Sequence, residues 1–102
     1  QQVHKSIAQS LENQFPDLKD TAPELIAHHY TEGGLADAEP AVGYWRSAGD
    51  RAADHFAHIE AIGHLRNALS ALNTLEASGD TVEQELELRL GLVASMRLVD
   101  RY

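Results

Sequence analysis

Apolar residues recur along most of the chain at steps of three and four positions, which is the spacing of one face of an α-helix. The first run covers residues 3–15 and ends where Phe15 precedes Pro16, because a residue before proline is driven away from helical backbone angles. The pattern therefore predicts an amphipathic first helix. Its apolar face consists of Val3, Ile7, Ala8, Leu11 and Phe15.

A second helix is predicted over residues 23–32. Asp20 or Thr21 is expected to cap its amino end, because the side-chain oxygen of either residue can accept a backbone N–H. A proline at the first helical position suits this start. The helix should end at Gly33 and Gly34, since glycine readily takes the left-handed backbone angles that close a helix.

Two longer helices are predicted in the middle of the chain. The third begins at about Asp37 and ends near His55, and the fourth runs from about His58 to Leu75. Residues 78–80 then break the apolar pattern. The apolar positions are Ala41, Tyr44, Trp45, Ala48, Ala52 and Ala53 in the third helix, and Ile59, Ile62, Leu65, Leu69 and Leu72 in the fourth.

The fifth predicted helix begins at Thr81, which with Gln84 matches a capping box of two reciprocal side-chain hydrogen bonds. This helix has two apolar faces. In an array of helical repeats, a second apolar face is covered by a following repeat or by a second copy, so one expectation is a homodimer through residues 86–99. The two faces are Val82, Leu86, Leu90 and Val93 on one side, and Leu88, Leu92 and Val99 on the other.

Composition narrows the partners and the compartment. With 16 acidic residues against 8 basic ones the net charge is −8, which argues against a nucleic-acid partner because binding phosphates requires clustered Lys and Arg. The absence of cysteine excludes disulfides and thiolate-bound zinc and fits the cytoplasm. No apolar run reaches the ~18 residues of a membrane helix. We expect residues 1–102 to form one helical segment, cut from a larger multidomain protein.

The most specific motif lies in the third and fourth predicted helices. A glycine inside a helix costs ~1 kcal/mol relative to alanine, so Gly49 needs a reason. Small residues at these positions allow two helices to approach closely, which supplies that reason. The motif is Trp45-x-x-Ala48-Gly49-x-x-Ala52 followed by Ala61-x-x-x-Leu65-x-x-Ala68. Its spacing resembles one tetratricopeptide (TPR) helix pair, although Asn73 replaces the usual proline. The predicted fold is therefore an all-α, TPR-like array of about five antiparallel helices.

A longer stretch resembles a more particular family. The segment PELIAHHYTEGGLADAEPAVGYWRSAGDRAADHFAHIEAIGHLRNALSAL, residues 23–72, is similar to the TPR-like C-terminal regions of large bacterial signalling ATPases, many with an N-terminal class III adenylate or guanylate cyclase domain. The resemblance implies a regulatory or partner-binding role. The sequence contains no Gly-x-x-x-x-Gly-Lys-Ser/Thr phosphate loop and no recognisable cyclase metal ligands. No catalysis and no cofactor are expected of this segment itself.

The resulting prediction is a protein-interaction segment that binds a partner protein or other domains of its own chain. Stacked repeats form a concave surface from the first helix of each pair. The candidate contact residues on that surface are Glu24, His28, Tyr44 and Arg46. Trp45 is expected to pack in the core rather than to stack on a ligand.

Two alternatives stay open. A small-molecule or metal sensor would use His28, His29, His55 and His58, with Asp54 as a further metal ligand. Adjacent histidines point about 100° apart on a helix and so cannot share a metal. The other alternative is a passive helical linker between catalytic modules.

Two pairs of acidic residues lie at helical i, i+4 positions. They are Asp50 with Asp54, and Glu83 with Glu87. No nucleophile motif accompanies either pair, so both are expected on solvated helix faces rather than in an acid–base site.

Overall fold

The computed structural model describes residues 2–33 and 38–100, and all regular structure in that part of the chain is helical. The predicted all-α fold is confirmed. The predicted cap at Gly34, the predicted helix start at Asp37 and the side chain of Val3 lie outside what the structure describes. The helices are α1 Gln2–Gln14, α2 Leu18–Thr21, α3 Pro23–Glu32, α4 Ala38–Asp54, α5 His58–Leu72 and α6 Gly79–Asp100.

The described part of the chain has six helices instead of about five, because the short helix α2 was not predicted. Neither Asp20 nor Thr21 caps α3, so that prediction is wrong. Both residues belong to α2, and the Thr21 hydroxyl donates to the carbonyl oxygen of Asp17 at 3.0 Å. Ala22 is the residue before α3 and offers no side-chain cap, whereas Pro23 occupies the first turn as predicted.

The carboxyl end of α3 is confirmed at Glu32, but the expected closing mechanism is wrong for Gly33. Its φ is −71°, in the right-handed region. The Gly33 N–H donates to the carbonyl oxygens of His29 and Tyr30, both at 3.1 Å. The glycine therefore continues the helical turn and does not close it with left-handed angles.

Helix α5 ends at Leu72, three residues before the predicted end at Leu75. The carbonyl oxygen of Ala71 accepts both the amide of Thr74, at 3.1 Å, and its hydroxyl, at 2.7 Å. Local bonding by this threonine replaces the next helical hydrogen bonds and tightens the last turn.

Helix α6 has a capping box, but one turn earlier than predicted. The Thr81 N–H donates to the Ser78 hydroxyl at 3.3 Å, and the Ser78 N–H donates to the Thr81 hydroxyl at 2.7 Å. Ser78 rather than Thr81 is thus the capping residue, and Gln84 takes no part. The two reciprocal hydrogen bonds are those of the predicted capping box. They form one turn earlier because Ser78 also offers a hydroxyl side chain.

The helices pack mainly in chain order. Helix α4 contacts α5 and α3, α6 packs on α5, and α1 packs on α3. The molecule measures 42 × 31 × 17 Å along its principal axes, so it is thin in one direction. None of the described helices is both long and apolar enough to cross a membrane.

The predicted close approach at Gly49 is confirmed. A Cβ atom placed on Gly49 would lie 2.7 Å from Cδ2 of Leu65 and 3.6 Å from the carbonyl oxygen of Ala61. Residues 55–57 alone connect α4 to α5, so the two helices run antiparallel. The motif residues are all buried: Trp45, Ala48, Gly49, Ala52, Ala61, Leu65 and Ala68.

Candidate functional site

An open groove of about 420 Å³ lies between α4 and α6, and we call it the α4–α6 groove. Leu65 of α5 lies between the two walls, and the turn between α4 and α5 lies at one end. The lining residues are Gly49, Asp50, Ala53 and Asp54 from α4, Phe56 and His58 at the turn, Leu65 from α5, and Gly91, Ala94, Ser95 and Leu98 from α6.

Small residues keep this groove open. Gly91 and Ala94 on α6 and Ala53 on α4 put little more than backbone into it. A Cβ on Gly91 would lie 3.4 Å from Cδ1 of Leu65, so Leu65 lies close to both helices that form the walls. The groove therefore reaches close to the α6 backbone, which larger side chains at these positions would prevent.

Acidic groups dominate the charge around the groove. Burial raises the pKa of the Asp50 carboxyl, and neighbouring Asp54 raises it further, whereas Arg46 lowers it. The Arg46 guanidinium is itself bound to Glu87 of α6, with Nη1 and Oε2 2.6 Å apart. The Arg46 guanidinium therefore acts on two carboxylates, those of Glu87 and Asp50, and a cation in the groove would reduce the repulsion between Asp50 and Asp54.

The turn at the end of the groove holds an exposed phenylalanine in an unusual backbone conformation. Phe56 has φ 61° and is 84% exposed. The Ala57 N–H donates to the Ala52 carbonyl at 2.8 Å and the Phe56 N–H to the Ala53 carbonyl at 3.0 Å. This is a Schellman motif with phenylalanine at the position that favours glycine. The apolar pattern of the sequence does not predict this motif.

His58 follows this turn at the first position of α5. It lines the α4–α6 groove and also a neighbouring cavity of about 560 Å³ beside Phe56 and Val99. Its Nδ1 atom is buried and is the only such side-chain atom without a hydrogen-bond partner among the described residues. Buried polar atoms are nearly always hydrogen-bonded, so a bound ligand is one means of satisfying this one.

The structure does not bring the four predicted contact residues together. Glu24 is half-buried in the first turn of α3, and His28 is exposed on the same helix, with Nε2 4.0 Å from Oε1 of Glu32. Arg46 lies beside the α4–α6 groove through its ion pair with α6. Tyr44 belongs to a different cluster, between α1 and α4.

In that cluster one carboxylate joins three helices. The Tyr44 hydroxyl donates to Oε2 of Glu12 at 2.7 Å, and the Tyr30 hydroxyl donates to Oε1. The two tyrosine rings stack with centroids 6.0 Å apart. Burial raises the pKa of Tyr44, and the hydrogen bond and the negative charge of Glu12 raise it further. The Tyr44 hydroxyl, predicted to contact a partner, therefore binds Glu12 and connects α4 to α1.

The predicted packing role of Trp45 is confirmed, since it is buried in the core cluster. Its Nε1–H donates to the Thr31 hydroxyl at 2.8 Å, and its ring stacks on His64 with centroids 5.5 Å apart. Trp45 also lines a second groove of about 410 Å³ across α3, α4 and α5. That groove is lined by His28, Thr31, Ala38, Ala41, Trp45, Asn67, Ser70, Ala71 and Thr74.

The histidines proposed for a sensor lie on different parts of the molecule. His28 lines the second groove, and the next residue, His29, is half-buried. His55 and His58 lie at the α4–α5 turn. Nδ1 of His55 lies 2.8 Å from the carbonyl oxygen of Arg51. Within the described residues, no three histidine, aspartate or glutamate side chains are grouped so that they could hold a metal ion.

Both acidic pairs lie on solvated helix faces as expected, since Asp50, Asp54, Glu83 and Glu87 are all exposed. Asp50 and Asp54 also border the α4–α6 groove, and Glu87 is bound to Arg46 on another helix.

Comparisons with protein-family models, with curated proteins and with solved structures find no match for this chain.

Proposed function

We propose that this chain is a non-catalytic, TPR-like interaction segment of a cytoplasmic bacterial signalling protein, and that it binds a basic segment of a partner protein or of another domain in the α4–α6 groove. The observation that supports this proposal best is the combination of acidic groups with small residues in one groove. Asp50 and Asp54 supply negative charge, and Gly91 and Ala94 leave room for a chain.

The shape of the groove suits lysine or arginine side chains. Such side chains have a long apolar stem and a charged end, and they bury the stem along apolar surface while the charge stays near water or near a carboxylate. Leu98 and Phe56 offer apolar surface beside the two aspartates. An apolar residue next to the basic one in the guest would contact the exposed ring of Phe56.

The electrostatics favour a cationic guest. The Asp50 carboxylate has lost part of its hydration, and the nearest guanidinium, that of Arg46, is already bound to Glu87. A positive charge from outside therefore meets carboxylates that the protein itself does not neutralise fully. With a net charge of −8 the whole molecule also attracts basic partners and speeds their association.

Binding is favoured over catalysis by the geometry around the only hydroxyl that lines the groove. Ser95 and His58 both line it, but among the described residues no hydrogen bond joins them to each other or to Asp54. A nucleophile acts through direct hydrogen-bond contact with its base. The sequence also lacks a motif for hydrolysis or phosphate binding.

A charge-neutralising double variant tests the proposal. The probe is a short synthetic peptide of alternating lysine and leucine, titrated by calorimetry at low salt. Asp50→Asn with Asp54→Asn should weaken binding ~10-fold, because two carboxylates in a partly dehydrated groove are lost. The control, Asp17→Asn with Asp20→Asn, removes the same charge from a site beside and within α2 and should change the affinity less than twofold.

Equal weakening by both double variants would show that the peptide senses only net charge, and would contradict a specific groove. Failure of the peptide to bind the unmodified protein at low salt would contradict the proposal as well.

A second candidate function, small-molecule sensing, is supported by the groove beside Trp45. His28, Thr31 and Trp45 line it, so a small aromatic ligand could stack there and bond to an imidazole. The chain has a single tryptophan, so its fluorescence reports this groove directly. A library of small aromatic acids that leaves both the fluorescence and the melting temperature unchanged would rule this candidate out.

A further inference from the structure

Helix α6 carries a row of large apolar side chains on its outer face, which we call the outer row. Its members recur at steps of four, four, three and three residues, so they form one continuous stripe along the helix. They are exposed as follows: Val82 61%, Leu86 59%, Leu90 62%, Val93 46% and Met96 41%. Contiguous apolar surface of this kind usually marks an interaction site.

The outer row is separate from the surfaces that α6 uses elsewhere. Leu88 is buried in the core cluster and Leu92 packs against that cluster. Leu88 lies two residues from Leu90, which places it on the opposite side of the helix. Gly91 and Ala94 line the α4–α6 groove, which is a third face. The predicted division of this helix into two apolar faces is thus confirmed, and one of those faces is exposed.

Charge is distributed unevenly along α6. The first half carries Asp80, Glu83, Glu85 and Glu87, and the second half carries Arg89 and Arg97, with Asp100 at the end. Glu87 is bound to Arg46 on α4, and Arg89 is bound to Glu85 at 3.3 Å. Among the described residues, Glu83 and Arg97 are exposed and have no ion-pair partner within the chain.

Glu83 and Arg97 are placed symmetrically about the middle of the outer row. Each lies seven residues from Leu90, which is two helical turns, so all three share one face of α6. A two-fold axis at Leu90 would place the two Leu90 side chains together. It would also bring Glu83 of each copy against Arg97 of the other, and Leu86 near Val93. A parallel arrangement would instead set Glu83 against Glu83.

We propose that α6 pairs antiparallel with α6 of a second copy of this chain, through the outer row and two symmetry-related Glu83–Arg97 ion pairs. Such an isologous contact closes on itself and yields a dimer. A single pair of helices ~33 Å long gives an interface at the lower end of the size range for stable complexes, so the dissociation constant should be on the order of micromolar. The α4–α6 groove stays accessible in this dimer.

The first test is the oligomeric state of the whole chain, measured by sedimentation equilibrium over a range of concentrations. The unmodified protein should be dimeric above the micromolar range, and Leu90→Glu should be monomeric with an unchanged helical circular-dichroism spectrum. The matched control is Leu25→Glu on α3, where the leucine is 50% exposed, and it should dimerise like the unmodified protein.

A charge exchange tests the antiparallel register. Glu83→Arg alone and Arg97→Glu alone should each weaken dimerisation ~10-fold, because each sets two like-charged pairs against one another. The double variant should restore the original affinity. Residues 83 and 97 lie ~21 Å apart along one helix, so contact within a chain cannot produce that restoration.

Two outcomes would overturn the proposal. One is a monomeric unmodified protein at every concentration. The other is a double variant that dimerises no better than the single ones. Peptide binding by Leu90→Glu reports the α4–α6 groove separately, so failure of the dimer leaves the proposed function testable.

Discussion

The α4–α5 hairpin and helix α6 both combine leucines with small residues, but they bury these residues very differently. In the hairpin every residue of the small-residue motif is buried, and Gly49 lies directly against Leu65. In α6, across 22 residues, only Leu88 and Ser95 are fully buried. The hairpin therefore holds the fold together, whereas α6 borders an open groove on one face and leaves a row of large apolar side chains exposed on another.

The difference comes from which positions are small. On α4 the small residues lie at the contact with α5, so the two helices approach until their backbones nearly touch. On α6 the small residues Gly91 and Ala94 line the groove, and the large ones occupy the outer row. Leucines and small residues thus form a buried core in the hairpin, whereas on α6 they leave an open groove and an exposed apolar row.

The comparison predicts its largest contrast for leucine truncation. Leu65→Ala should lower the free energy of unfolding by ~3 kcal/mol, because it leaves a cavity between α4 and α6. Leu90→Ala should change it by less than ~0.5 kcal/mol, since that side chain is 62% exposed. Urea denaturation, at a protein concentration below that at which the chain is expected to dimerise, measures the free energy of unfolding of both variants. A similar loss for the two variants would mean that α6 is as deeply packed as the hairpin.

A smaller contrast is expected for glycine. Gly49→Ala should destabilise the fold by ~1–2 kcal/mol, because the new Cβ would lie 2.7 Å from a buried Leu65 carbon. Gly63→Ala is the matched control on α5, where no atom lies within 4 Å of the added Cβ. It should stabilise the fold by ~0.5–1 kcal/mol through better helix propensity. Thermal melts of the two variants should therefore move in opposite directions.

The turn within the hairpin is the exception to its tight packing, and Phe56 tests whether that exception serves binding. Phe56→Gly should stabilise the fold by ~1 kcal/mol, because glycine takes φ near 61° without strain. Phe56→Ala keeps the strain and should leave stability nearly unchanged. Both variants should weaken binding of the lysine–leucine peptide. A change in stability cannot explain this shared loss, because the two variants are expected to differ in stability. Undiminished peptide binding by both would remove Phe56 from the site.

The smallest predicted effect is a pH dependence from Asp50. Its pKa is raised in the folded protein, so the folded state binds more protons than the unfolded state just above the ordinary carboxyl range. Stability therefore falls as the pH rises through that window. Asp50→Asn should be more stable by about 0.3 kcal/mol at neutral pH, a small value because solvent screens this largely exposed side chain.

The control for that measurement is the same comparison in acid. Below the ordinary carboxyl pKa, Asp50 is protonated in both states, so the advantage of Asp50→Asn should vanish. An advantage that persists unchanged at low pH would show that its origin is packing rather than charge.

Sequence periodicity was sufficient for features that depend on one helix or one helix pair. It predicted the all-α fold, the burial of Trp45 and Leu65 and the two apolar faces of α6, because each follows from residues three or four positions apart. Helix caps were predicted less well. Thr21 belongs to the short helix α2, which was not predicted, and Thr81 had a second hydroxyl residue, Ser78, within one turn. Single-sequence patterns do not decide such boundaries.

The groove and its charges depend on how distant segments align, which periodicity does not determine. Arg46 of α4 forms an ion pair with Glu87 of α6, and Tyr44 of α4 donates a hydrogen bond to Glu12 of α1. The small residues Gly91 and Ala94 were visible in the sequence as a gap among leucines. That these two residues line a groove could not be predicted, because it depends on the position of α4 opposite them.

Amide chemical shifts during a peptide titration test the central claim most directly. With uniformly ¹⁵N-labelled protein and the lysine–leucine peptide, we expect progressive shifts for Asp50, Gly91 and Ala94 in the α4–α6 groove. Gly63, on an exposed part of α5, should stay unchanged. Shifts that are absent from Gly91 and Ala94, or equally large at Gly63, would contradict a binding site between α4 and α6.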